Sequence, residues 1–400
     1  MVKKTCLCLV CGICLLLLGG CWDSTNIEDR GFIIGVAIDM ADGSERTSKG
    51  NFEVSLTNQL VIPAGDSPAQ QEGTGSKQEA YKNITGTGDS IFTISHQLDT
   101  RTSKQPYYEH IKVVLVSEEV VKHKQLFSSI MDIFLRDPEM RRNIKVVITK
   151  GKAKKYLSFN AGEGNQLPAI YINQILENTL QSKRTIKPVR LGKVHEFLLG
   201  NDSFAIPVAS MAENSIDFSG VAVFHGYNNT FVGMLDPAET MGLNLTTGSV
   251  EGGGVEFKIS DRLMSFEIQD SRGKVKVDTS NSDKVKLQVK ITVEGRIDEM
   301  FGDKRLLREG YIDAMEKRIS EKIKTLVERS ITKSQKELNA DVFGFGTYLY
   351  NHDYHHWEKH LKPNWEQGRK LFANGQVDVS VKTILRSFGT TDRTKVLHKN

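Results

Sequence analysis

The stretch "DKVKLQVKITVEGRI", residues 283–297, decides how the C-terminal half of the chain is read. Val285, Leu287, Val289, Ile291 and Val293 alternate with polar neighbours. A period of two sends successive side chains to opposite faces, so one face is apolar and the other wet. That pattern predicts a long strand in a sheet with one covered face, of the antiparallel kind. Just upstream, "LMSFEIQDSRGKVKVD" (263–278) reads as its partner strand. Downstream the period changes. Between Lys304 and Leu338, Ile312, Met315, Ile319, Ile323, Leu326 and Val327 recur at threes and fours. This predicts a long helix whose apolar stripe covers the sheet. Its other face mixes Glu, Lys and Arg, whereas a helix lying on a membrane is more uniformly basic. "QVDVSVKTILRS" (376–387) reads as a closing strand.

Working back towards the N-terminus, "GVAVFHGYNNTFVGML" (220–235) predicts a hairpin, with Asn228 and Asn229 at the turn, where positive φ is tolerated. "GFIIGVAID" (31–39) is a continuous apolar run and reads as a buried strand, and Phe52, Val54 and Leu56 mark a second. "HIKVVLVS" (110–117), a helix over 118–137 and "NIKVVITKG" (143–151) form a strand–helix–strand unit suited to a parallel crossover. Residues 152–200 read as mostly helical, with Pro168 in a first turn, and 203–211 as extended. The Pro-, Gly-, Ser- and Gln-rich stretch 63–79 reads as an exposed loop. The expected fold is α+β and elongated, with two to three mixed α/β domains. An N-terminal region spans 31–212, with a possible subdivision near 150. A C-terminal domain spans 215–390, an antiparallel-rich sheet packed by the long helix.

The bulk numbers fit such a chain. Its 400 residues suffice for several cores, and hydrophobic and charged residues make up 39% and 26%. A net charge of +4, from 53 basic and 49 acidic side chains, shows no excess of the kind nucleic acid attracts. The cysteines are unevenly placed. All five, Cys6, Cys8, Cys11, Cys14 and Cys21, precede the predicted fold, so no disulfide framework holds it.

Lys3 and Lys4 followed by the apolar run Thr5–Leu18 have the form of a signal peptide, too short to span a bilayer. Leu18-Gly19-Gly20-Cys21 then resembles a bacterial lipobox. In that scheme residues 1–20 are removed, and Cys21 becomes an S-diacylglyceryl N-terminus, with N-acylation possible. Residues 21–30 form a polar tether. Two acyl chains give stable anchoring where one does not. The remaining chain is expected to be water-soluble and to lie outside the cytoplasmic membrane.

Catalytic constellations are not expected. Ser330-Ile331-Thr332-Lys333 fits S-x-x-K, but the companion S-D-N and K-T-G motifs are missing. His352, His356 and His360 in "NHDYHHWEKH" stand at helical spacing without the H-E-x-x-H arrangement of a zinc hydrolase. They read as an exposed polar helix. Gly73-Thr74-Gly75, Gly86-Thr87-Gly88 and Gly344-Phe345-Gly346 form no nucleotide fingerprint. No metal and no cofactor are expected.

Two long motifs carry a resemblance. "CWDSTNIEDRGFIIGVAID" (21–39) resembles the start of the Ger(x)C spore germination lipoproteins, with Cys21, Trp22, Asp23, Glu28 and Asp39 in the family's order. "SQKELNADVFGFGTYLY" (334–350) resembles the family's segment after its long helix, followed by Trp357, Trp365 and the closing strand. The resemblance implies a C subunit of a nutrient germinant receptor. Such a subunit is lipid-anchored and non-enzymatic, and partners two membrane subunits, A and B, on the outer face of the spore inner membrane. In the motif, Asn339 and Asp341 are expected to cap helices, while Phe343 and Phe345 pack and the glycines allow close approach. A docking surface for a partner is the other reading of that motif. Two further functions are weighed: a lipoprotein solute-binding protein that captures the nutrient itself, and an envelope hydrolase. The long meander at 263–297 argues against the two-lobed cleft that the first requires.

Overall fold

The computed structural model describes residues 27–43, 52–63, 80–160, 167–178, 184–213, 215–248, 252–259, 262–280, 285–300 and 310–387. Two sheets organise them. The larger has nine strands in the order β3-β2-β1-β5-β6-β7-β8-β9, with β4 beside β1. These are β1 (Arg30–Met40), β2 (Val54–Val61), β3 (Tyr81–Gly88), β4 (Gln105–Tyr107), β5 (Val113–Ser117), β6 (Lys145–Thr149), β7 (Phe204–Ala212), β8 (Ser215–His225) and β9 (Thr230–Leu235).

The centre of this sheet is parallel. β1, β5, β6 and β7 run side by side in the same direction. Parallel neighbours need crossovers, and helices supply them, covering both faces. This explains why β5 and β6 are buried at every residue and why their centres, Val113–Val116 and Val146–Ile148, are continuously apolar. The helix expected over 118–137 is two: α2 (Glu118–Lys122) and α3 (Leu126–Arg136). Gln125, in the left-handed region at φ 62°, breaks the run between them. α1 (Ile91–Asp99) precedes them, and α4 (Ala153–Tyr156), α5 (Pro168–Asn178) and α6 (Leu191–Leu199) follow, with Pro168 opening α5 as its sequence position predicted.

The flanks are antiparallel: β2 and β3 on one side, β8 and β9 on the other. The division expected between 212 and 215 falls at the turn of the β7–β8 hairpin. The strands of 215–235 therefore complete the large sheet instead of starting the next one. A hairpin partner is the nearest available cover for the edge of β7, so the chain turns back upon it.

The smaller sheet has the order β10-β11-β12-β13: β10 (Gly254–Ile259), β11 (Arg262–Asp278), β12 (Lys286–Met300) and β13 (Gln376–Ser387). Its first three strands are an antiparallel meander, and β13 closes it parallel to β12. The alternation read in 285–293 is realised: Val285, Leu287, Val289, Ile291 and Val293 are all buried. α7 (Pro237–Thr247) and the long α8 (Tyr311–Lys333) cover that face, α8 through Met315, Ile319, Ile323, Val327 and Ile331. The two sheets share a core. Ala205, Val221, Val223 and Leu235 of the large sheet belong to the same apolar cluster as Leu287, Phe266 and Ile319.

Candidate functional site

Cys21 and the whole Leu18-Gly19-Gly20-Cys21 signal lie outside the described residues, as do Trp22, Asp23 and Gly73-Thr74-Gly75. The S-x-x-K pair is described. Ser330 is buried in α8, and its hydroxyl donates to the Glu239 carbonyl at 2.6 Å. Lys333 Nζ donates to the Glu239 carboxylate at 2.8 Å. Both side chains thus clamp α8 onto α7, where Glu239 also forms a reciprocal capping box with Asp236. In the histidine segment, His352 and His360 are exposed and His356 is half-buried. His352 Nδ1 lies 2.8 Å from the Tyr348 carbonyl, and His356 and His360 pack ring to ring. Among the described residues no group of three or more His, Cys, Asp or Glu side chains is placed to hold a metal.

The motif 334–350 builds a tight joint. α8 runs into a wider turn over Ser334–Leu338, which ends at Asn339 in the left-handed region, φ 48°. The chain then passes Asp341, whose side chain is buried. One carboxylate oxygen accepts from Phe343 N at 3.2 Å and Phe345 N at 3.3 Å. The other accepts from Gly346 N at 2.7 Å and Trp365 Nε1 at 2.9 Å. Asp341 therefore caps α9 (Phe345–His352) and ties it to the helical run 354–365. Gly344 starts α9 at φ 83°. A Cβ on Gly346 would stand 2.9 Å from Trp357 and 3.3 Å from Trp365 Nε1, so glycine there lets α9 meet both indoles. Phe343, Phe345, Trp357, Trp365 and Phe372 are all buried. The motif's two phenylalanines are thus core residues, while Tyr348 is half-buried and Tyr350 is exposed.

A second carboxylate carries the joint to the large sheet. Glu366 Oε1 accepts from Asp341 N at 2.5 Å. Its other oxygen accepts from Ser203 Oγ, at the entrance to β7, at 2.7 Å, and lies 3.4 Å from His225 Nδ1 at the end of β8. Beside this network lies an open cleft of about 750 Å³ between the α6–β7 connection and the helices after residue 341. Burial pushes the Asp341 carboxyl up to about 6, against the donors from Gly346, Trp365 and Phe345, and neighbouring Glu366 adds to the rise.

The sequence singles out Asp341 but not Glu366, which meets it from 25 residues away, nor Ser203 and His225, which meet Glu366 from 163 and 141 residues away. Nor did it give Asp39 its task. That carboxylate accepts from Ala153 N at 2.6 Å and Lys154 N at 2.9 Å, capping α4 at the end of the parallel strands. Burial raises the Asp39 carboxyl, opposed by these two bonds, by Ser117 and by Lys152.

Two family models match the chain: the spore germination protein N-terminal domain over residues 23–211, and the spore germination B3/GerAC-like C-terminal domain over 219–389. Spore germination protein A3 of Bacillus subtilis (strain 168) is 30% identical over 389 residues, 96% of this chain and 98% of that protein. Spore germination protein YndF of the same organism is 29% identical over 395 residues, 94% of this chain and 96% of that protein. The crystal structure of the GerBC protein matches with a TM-score of 0.58 at 20% identity, covering 87% of this chain and 97% of that one. With both models matched in order and nearly the full length of these relatives covered, the chain belongs to the GerAC-like family of spore germination proteins.

Proposed function

We propose that this chain is the lipid-anchored, non-catalytic subunit of a nutrient germinant receptor, acting beside two membrane subunits, A and B, on the outer face of the spore inner membrane. The observation that carries the reading is the order of its parts. A lipobox-like Leu18-Gly19-Gly20-Cys21 stands directly before the region matched by the two germination-family models. No helix of the described residues is long and apolar enough to cross a membrane, so Cys21 is the attachment point this reading requires. Tethering at one end raises the effective concentration of the folded region at its membrane partners. The tight packing around Asp341 supports a rigid body that transmits or braces, since the Asp341 and Glu366 carboxylates are committed to structure.

Mass spectrometry of the native protein should find Cys21 as a diacylated N-terminus. Replacing it, Cys21→Ser, should release the chain from spore membranes and slow nutrient-triggered germination. Affinity capture of the wild-type chain should bring down two polytopic membrane proteins. An unacylated Cys21, or a serine variant that fractionates and germinates like wild type, would overturn the reading.

A further inference from the structure

The smaller sheet turns one face to α7 and α8, through Val289, Ile291 and Val293 of β12 among others. The period of two sends the alternate residues to the opposite face. There Arg272, Lys274, Lys276, Lys286, Lys290 and Lys382 are all exposed.

The strand register brings like charges together on that face. Lys274 of β11 stands directly opposite Lys290 of β12, and Lys276 lies two residues further along β11. On the other side of β12, Lys382 of β13 is opposite Thr292, two residues along from Lys290. Four ammonium groups thus share one patch across three strands. Like charges directly opposite one another weaken a strand pair. A second like pair on the same face shows how the chain relieves such repulsion. Asp270 and Glu294 also stand opposite each other. Asp270 is paired with Arg272 at 3.2 Å, and Glu294 with Arg386 at 2.8 Å. Among the described residues no carboxylate does the same for Lys274, Lys276, Lys290 or Lys382. Asp278 and Asp378 stand at the turn end of the strands, opposite Lys286 and Gln288. The positive charge of the patch is therefore left for something outside the chain.

The make-up of the patch selects the kind of anion. Its uncharged neighbours are Gln288, Thr292 and Ser380, and no aromatic ring stands among them. Interfaces between proteins are enriched in aromatic residues and arginine and depleted in lysine. Lysine is a mobile point charge on a long stem, without the rigid fork that grips a single carboxylate. A flat set of such charges suits a diffuse layer of anions, as on a membrane surface.

We propose that this face of the smaller sheet rests on an anionic phospholipid bilayer, with Lys274, Lys276, Lys290 and Lys382 donating to headgroup phosphates. The receptor reading attaches the chain at Cys21 alone. The lysine face is a second, non-covalent contact that fixes which side of the folded region is turned to the membrane. It does not depend on acylation.

The test mixes the full chain with excess nanodiscs of phosphatidylcholine, alone or blended with phosphatidylglycerol. Lysines are acetylated with a water-soluble ester, and the rate at each is read by mass spectrometry. With the anionic discs the four lysines should react several-fold more slowly, and added salt should restore their rates, because exposed charges are screened. Lys124, between α2 and α3, and Lys322, on α8, are exposed elsewhere and should react alike with both discs. Lys274→Gln with Lys290→Gln should free Lys276 and Lys382 from protection, whereas Lys274→Arg with Lys290→Arg should keep it. All these substitutions are at exposed positions outside the core. Equal rates with the two discs, slowing shared equally by Lys124 and Lys322, or protection that survives the double glutamine variant would overturn the proposal. So would the same protection from soluble glycerol phosphate, which would make the patch a site for free phosphate. Protection by either disc only when co-purified membrane subunits are present would assign the face to a protein and overturn it equally. The acylation state of Cys21 in the same samples reports separately on the anchor.

Discussion

At the scale of single residues, Asp341 is the most consequential side chain of the C-terminal joint. Four donors converge on one buried carboxylate. Its carboxyl titrates near 6 in the folded protein against 3.8 ordinarily. The folded state therefore holds the extra proton between those values. The stability this confers is fully present below 3.8 and is lost as the pH rises through about 6. The span corresponds to about 3 kcal/mol. In thermal melts from pH 4 to 7, the margin of wild type over Asp341→Asn should shrink with rising pH, and a constant or widening margin would contradict the assignment. The glycines nearby separate two physical effects. Gly346→Ala should cost about 1–3 kcal/mol through overpacking against Trp357 and Trp365. Gly344→Ala meets only Thr347 Cβ at 4.0 Å, and its cost of about 1 kcal/mol comes from the left-handed backbone. Denaturant titration of the two variants checks both figures. Larger loss at Gly344 would mean that close approach is not what position 346 protects.

At the scale of elements, β13 is an edge strand, and exposed edges invite pairing with other chains. α8 covers part of that edge with its own side chains. Ser320 Oγ accepts from Thr383 N at 3.1 Å, and Glu316 Oε1 accepts from Leu385 N at 2.8 Å. The double substitution Glu316→Ala with Ser320→Ala should lower stability by about 1–3 kcal/mol for the two lost bonds. It should also raise self-association, measurable by sedimentation. A variant as monomeric as wild type would show that these caps serve stability alone. The elements that sequence missed have a common cause. β3, "YKNITGTG", is an edge strand rich in threonine and glycine, half-exposed along most of its length. It carries no apolar alternation to read. α1 follows it and buries only Ile91, Ile94 and Leu98, too short a stripe to stand out.

At the scale of the whole molecule, the two sheets are joined twice. The apolar cluster that contains Ile319 and Phe266 runs on to Val221 and Leu235 of the large sheet. The Glu366–Ser203–His225 contact adds a polar link. Such a body should unfold as one unit. Indole fluorescence of a Trp22→Phe variant, which leaves Trp357 and Trp365 in the C-terminal part, and amide exchange in β7 should report the same transition. Ser203→Ala, which leaves Glu366 one donor short, should lower both by about 1–3 kcal/mol. Separated transitions, or a loss confined to one probe, would show that the joint does not couple the two parts.

Local pattern by itself determined the elements with strong periods. These are the alternating strand β12, the apolar stripe of α8, the apolar centres of β1, β5 and β6, the hairpin at 220–235 and the closing strand. It did so because burial on one face or on both imposes a period that residues nearby in sequence must obey. Family membership was legible for a similar reason, in two motifs at either end of the matched region. Tertiary structure alone decided that 215–235 belong to the large sheet, that Glu366 meets Asp341 and Ser203, and that Lys382 joins Lys290 on one open face. Each of these brings together segments distant in sequence. A period within one segment records that a face is covered, and only the folded chain fixes which distant segment covers it.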